Sequence, residues 1–232
     1  PMNKLRQRLI FLPLIGVALF ASVVGLVLYG LTAPASARDV GQVVEIDQQP
    51  AANTKAQYIG AAQCATCHSD AMKAWEGSHH DRAMEKPTPE TVEGNFDDAS
   101  FTKEGITSRF FKKEGDYYVH TEGPKGKMRD FKVAYTFGVY PLQQYLVAFP
   151  DGRLQTLELS WDNRPKDEGG QRWFHIHPDE RINPDDPLFW TKPLQNWNKQ
   201  CAECHSTNLK KNYDPAKDQY HTSFAEIDVS CE

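Results

Sequence analysis

Two short segments carry the residues most suited to chemistry: Cys64-Ala65-Thr66-Cys67-His68 and Cys201-Ala202-Glu203-Cys204-His205. Two thiols with two residues between them share one side of a turn, so both can form thioether bonds to the vinyl groups of a single haem. The His that follows then lies beneath the ring, where its imidazole can bind the iron. Cys64, Cys67, Cys201 and Cys204 are therefore read as porphyrin anchors, and His68 and His205 as proximal ligands, of at least two c-type haems. The chain has only 8 His in 232 residues, so chance explains a His after both pairs poorly. Three other chemistries fit less well. A zinc ribbon separates its Cys pairs by ~15–20 residues and would leave both His unexplained. A disulfide across two residues closes too small a loop to stabilise much. A thioredoxin-like pair needs a βαβ setting that the pattern lacks.

The fifth cysteine, Cys231, has no companion. An odd Cys in an exported protein implies an intermolecular bond or a reactive thiol. Glu203 already stands inside the second motif, so Cys231-Glu232 reads instead as the opening of a third haem motif completed beyond Glu232, in a chain whose two ends both look cut. Six His remain for the distal side: His79, His80, His120, His175, His177 and His221. Two imidazoles on one iron suit electron transfer, whereas an open sixth position invites substrate chemistry. His175-Ile176-His177 alternates as a strand would, with both imidazoles on one face and available as distal ligands. His120 and His221 read as surface residues. The five Trp read as packing groups, and Asp97-Asp98 and Asp185-Asp186 as solvated turn residues.

Several elements must position these residues. Lys4, Arg6 and Arg8 precede an apolar run over residues 9–31. The run is longer than the ~7–15 residues of a cleavable signal core and close to the ~20 that cross a bilayer as a helix. Residues 1–37 are thus a transmembrane signal-anchor or, with Ala35-Ser36-Ala37 as cleavage site, a signal peptide. Either way the basic flank stays inside and the rest is exported. The haem motifs then face the compartment in which haem is attached, the periplasm or the periplasmic side of the bacterial inner membrane. Residues 38–57 read as a linker. A helix over 70–76 ends at Gly77, and 86–100 reads as a surface loop. Alternating β-branched and aromatic residues at 106–111, 116–121, 128–137, 142–149 and 153–161 predict an antiparallel meander inserted at about 101–161, with turns at Glu114-Gly115-Asp116, Gly123-Pro124 and Pro150-Asp151-Gly152. The expected class is α+β and loop-rich, with short helices at the haem sites. Fifteen Pro and fifteen Gly suggest a chain that needs buried cofactors to complete its core. Lys plus Arg total 26 against 31 acidic residues, with no basic block, so nucleic acid is excluded as a partner.

At Trp75-Glu76-Gly77-Ser78-His79-His80 the chain resembles the Trp-x-x-Ser-x-His element of a large multihaem cytochrome c family. That family includes the tetrahaem cytochrome of ammonia oxidation, and its longer members continue into further haem motifs and C-terminal tetratricopeptide repeats. The likeness extends over residues 58–232 through Tyr58-Ile59-Gly60, Tyr135-Thr136-Phe137-Gly138, Pro141-Leu142-Gln143-Gln144-Tyr145, Gln195-Asn196-Trp197-Asn198 and Cys204-His205-Ser206-Thr207-Asn208. It implies that His80 is a distal iron ligand, with His79 in its place if the element is shifted by one. A chain of closely placed haems is expected to serve electron transfer with redox partner proteins rather than substrate conversion. A multihaem oxidoreductase acting on a small nitrogen or sulfur compound, and a haem-containing sensor or assembly module, are the alternatives.

Overall fold

The computed structural model describes residues 57–231. The segment expected to be a signal or anchor lies outside the described residues, and so does all but the last residue of the linker. Among the described residues no helix is long and apolar enough to cross a membrane.

The longer helices are few and short: α1 (Ala61–Cys64), α2 (Ser69–Trp75), α3 (Trp197–Gln200) and α4 (Ala202–His205). All four lie in or against the two Cys-x-x-Cys-His segments. The expected helix after the first motif is α2; it ends at Trp75, the backbone leaves helical geometry at Glu76 (ψ 125°), and Gly77 follows with a φ of 73°.

The rest is dominated by one antiparallel sheet. Its strands are β1 (Met84–Glu85), β2 (Ala99–Lys103), β3 (Ile106–Lys113), β4 (Asp116–Glu122), β5 (Met128–Phe137), β6 (Leu142–Ala148), β7 (Leu154–Thr156), β8 (Leu159–Asp162) and β9 (Arg172–His175). They run in the order β2-β3-β4-β5-β6-β8-β9, with β1 added to β5 and β7 to β6. The sheet curls until β2 and β9 approach one another, so it nearly closes into a barrel. A small hairpin, β10 (Tyr213–Asp214) with β11 (Gln219–Tyr220), forms a sheet of its own, and its Tyr220 N–H donates to the Asp151 carbonyl at 2.9 Å. The β3–β4 turn is Glu114-Gly115, both with positive φ (55° and 84°), the primed geometry whose twist matches the flanking strands.

The meander is therefore real but wider than its alternating pattern. Segment 153–161 is two strands broken at Leu157 and Glu158, each paired with β6. Strands β2 and β9 extend the sheet beyond 101–161 because the sheet edges recruit short segments that carry little pattern of their own. The loop at 86–100 is not all surface. Phe96 is 1% exposed and meets Phe110, Tyr117, Tyr145 and Trp173 edge-on at 5.1–5.9 Å. Gly94 lets the loop come this close, since a Cβ there would lie 2.4 Å from the Tyr145 hydroxyl.

Two cores result. The larger one fills the curled sheet with Phe96, Phe110, Tyr145, Trp161, Trp173 and Trp190 among others. The expectation that cofactors must complete the interior fails for this region, where aromatic side chains supply the volume. The smaller core joins Met84, Phe137, Leu146, Trp197 and Ala202, with Cys201, Phe224 and Ile227 packed against it. The second attachment motif is built on this smaller core.

Candidate haem-attachment sites

The first motif begins in α1 and passes through a turn into α2. The backbone N–H groups of Cys67 and His68 both donate to the Cys64 carbonyl, at 3.2 and 2.9 Å, and Met72 N–H donates to the His68 carbonyl at 3.0 Å. Helix α1 is capped from a distance: the Glu226 carboxylate accepts the Ala61 N–H at 3.1 Å, satisfying one of the donors that a helix start leaves open. Cys64 is half-buried, and Cys67 and His68 are exposed.

Each residue of the Trp-x-x-Ser-x-His element has a structural task. Trp75 Nε1 donates to the Val229 carbonyl at 2.8 Å. Ser78 Oγ accepts the N–H groups of His80 and Asp81, at 3.3 and 3.4 Å, and so starts the 3-10 turn over Asp81–Ala83. The His80 carbonyl accepts Val229 N–H at 3.1 Å. The backbone of His80 is thus held on two sides while its side chain stays exposed. His79 is exposed as well, its ring 6.4 Å from that of Tyr140.

The second motif is held more firmly. Asn196 caps α3 by accepting Lys199 N–H at 3.0 Å. Asn198 accepts Leu154 N–H at 2.7 Å and donates to the Gly152 carbonyl and Thr222 Oγ1, tying the helix to the β7 end of the sheet. Trp197, fully buried, anchors the smaller core. Ser206 Oγ donates to the Ala202 carbonyl at 2.7 Å and closes the motif. The His205 ring lies 4.3 Å from that of Phe137, and its Nδ1 lies 3.4 Å from the Ala83 carbonyl, which also accepts Gly138 N–H at 3.0 Å. A carbonyl only accepts, so Nδ1 carries the proton and Nε2 keeps its lone pair. Burial also pushes the His205 pKa down, favouring the neutral imidazole that a metal requires. Burial likewise raises the Cys201 thiol, with Cys204 adding to the effect.

The residues present fit c-type haem. All five thiols are free of disulfides, and His205 has the tautomer and supporting carbonyl expected of an iron ligand. Among the described residues no three His, Cys, Asp or Glu side chains gather as metal ligands.

Other sequence candidates lie elsewhere. His175 packs in the sheet beside Glu158, with His177 6.0 Å away ring to ring. His120 pairs with Asp130 at 2.6 Å on the outside of β4, and His221 is exposed. Trp161, Trp173 and Trp190 pack in the larger core, as expected of packing groups. What sequence reasoning missed is the segment over residues 222–230. Thr207 N–H donates to the Glu226 carbonyl and Thr207 Oγ1 to that of Asp228, at 3.1 and 2.9 Å. This strap therefore touches α1, Trp75, His80 and the end of the second motif. No periodicity marks it, and its main contacts are backbone groups that carry no sequence signal. Cys231 follows it and is exposed.

No curated protein and no solved structure matches the chain. Residues 63–123 match the family model described as cytochrome c554 and c-prime, a span that holds the first attachment motif and the His79-His80 pair but ends before the second motif. That similarity supports a c-type cytochrome.

Proposed function

We propose that this protein transfers electrons in the periplasm, or at the periplasmic face of the inner membrane through residues 9–31, by way of several c-type haems. The observation that carries the reading is the strap, which ties both Cys-x-x-Cys-His segments, far apart in sequence, to one short stretch of chain. Haem, when bound, supplies a one-electron iron couple. The chain's own residues do the rest. Cys64, Cys67, Cys201 and Cys204 hold the porphyrins, His68 and His205 serve as proximal ligands, and His80, or else His79, approaches from the distal side. Phe137 and the Ala83 carbonyl fix the plane and tautomer of His205. Redox proteins are the partners.

Counting covalent haem tests this. The mature protein, expressed with haem-attachment machinery and denatured, should keep its haem, and changing both Cys of either motif to Ser should remove one haem per chain. Reversible potentiometric titration of the intact protein should follow. Haem lost on denaturation, or a count unchanged in either double variant, would reject the reading.

A further inference from the structure

A second site lies inside the curled sheet, and none of the residues lining it belongs to an attachment motif. It is a cavity of about 60 Å³ walled by Phe101, Leu157, Ile182, Phe189 and Trp190. At the ~10–15 Å³ that one water occupies by such a measure, it holds a group of a few heavy atoms. Glu158, in the break between β7 and β8, faces this space with its side chain only 5% exposed. Its Oε2 lies 3.2 Å from His175 Nε2. His175 Nδ1 accepts the His177 N–H at 3.0 Å, so the ring proton is on Nε2 and points to Glu158. The other carboxylate oxygen, Oε1, is buried without any partner.

The remaining charges around the cavity are engaged or at its rim. Arg181 pairs with Glu122 at 3.4 Å. Lys103 Nζ donates to the carbonyls of His177 and Glu180. Glu104 is exposed. Trp190 Nε1 is fixed to the Glu122 carbonyl at 2.7 Å, which sets the orientation of that wall. What is left uncompensated is one buried carboxylate oxygen in an aromatic-walled space. A buried carboxylate with a spare acceptor costs stability unless a donor, preferably a cation, meets it.

We propose that this cavity binds a small primary ammonium compound. The ammonium group donates to Glu158 Oε1, and the short carbon chain rests against Phe189 and Trp190. An anion is repelled by Glu158, and a neutral alcohol meets the acceptor without the charge.

The test is calorimetric titration of the haem-loaded protein with n-propylammonium, beside 1-propanol and propionate. Saturable one-to-one binding of n-propylammonium, at least tenfold tighter than either control, is expected. Glu158→Gln keeps the shape and removes the charge, and should weaken binding at least tenfold while leaving haem absorption unchanged. Ile182→Phe, which fills the cavity with Glu158 in place, should abolish binding and serves if the first variant does not fold. No saturable binding, equal binding of 1-propanol, or an unchanged affinity in either variant would overturn the proposal.

Discussion

His205 and His80 are held in place by different means. His205 is held through its side chain: Phe137 packs on the ring and the Ala83 carbonyl accepts a hydrogen bond from its Nδ1–H. His80 is held through its backbone, between Ser78 Oγ and Val229, so its imidazole is free to turn toward a ligand position. Replacing His80 by Ala should therefore leave the backbone in place and open one coordination position. The expected result is a partial change from low-spin to high-spin absorption, with carbon monoxide binding to the reduced protein. An unchanged spectrum in His80→Ala, with the change appearing in His79→Ala, would transfer the assignment to His79. The same distinction explains the Ser of the Trp-x-x-Ser-x-His element, which acts on the turn and not on the metal.

Among the elements, the strap over residues 222–230 brings acidic side chains together. Burial, and then the nearby charges of Glu226 and Asp81, push the Asp228 carboxyl up to about 6, and its Oδ1 has no hydrogen-bond partner. A carboxyl whose folded pKa is raised binds its proton more tightly in the native state than in the unfolded chain. Stability from this group is thus complete below the ordinary carboxyl range near 4 and is lost as pH rises toward about 6. Asp228→Asn should remove that loss. Because the group is only half-buried, screening limits the gain to about 1 kcal/mol above pH 7, falling to nothing near pH 4. Urea unfolding of both proteins across that range measures it, and a gain that does not depend on pH would contradict the assignment. Glu226, beside it in the strap, accepts from Ala61 N–H and from Ser230 Oγ.

At the scale of the whole molecule, the two cores divide the labour. The larger holds the stacked Phe110–Trp173 pair, with rings 3.5 Å apart, and the buried Tyr145, whose hydroxyl donates to Gln143 and accepts from Gly94. Gln143 in turn accepts Glu93 N–H and donates to the Thr91 carbonyl, so the Gln-Gln-Tyr segment binds the loop over 86–98 to β6. None of these contacts involves an attachment motif. The smaller core contains Cys201 and borders His205. A variant with Cys64, Cys67, Cys201 and Cys204 all changed to Ser should then lose its haem yet keep the strand signal in circular dichroism and slow amide exchange over β3–β6. Collapse of the whole sheet in that variant would mean that the larger core depends on haem after all.

The two Cys-x-x-Cys-His segments stand out in the sequence because thioether chemistry needs two thiols and an imidazole at a fixed local spacing, which no tertiary contact can alter. Most of the sheet was legible for a similar reason. Alternation over β3 to β6, and turns such as Glu114-Gly115, are local signals. Strands β2 and β9 were not, because their place depends on what the sheet edges offer. The burial of Phe96 required Gly94 to meet Tyr145 across the fold. The capping of α1 by Glu226, the anchoring of Trp75 and His80 by Val229, and the Ala83 carbonyl beneath His205 were also decided only in three dimensions. They are single hydrogen bonds between residues distant in sequence, several of them through backbone groups common to every residue. The orphaned carboxylate of Glu158 is of the same kind, since a lone acidic residue in a strand region acquires meaning only when the surrounding walls close over it.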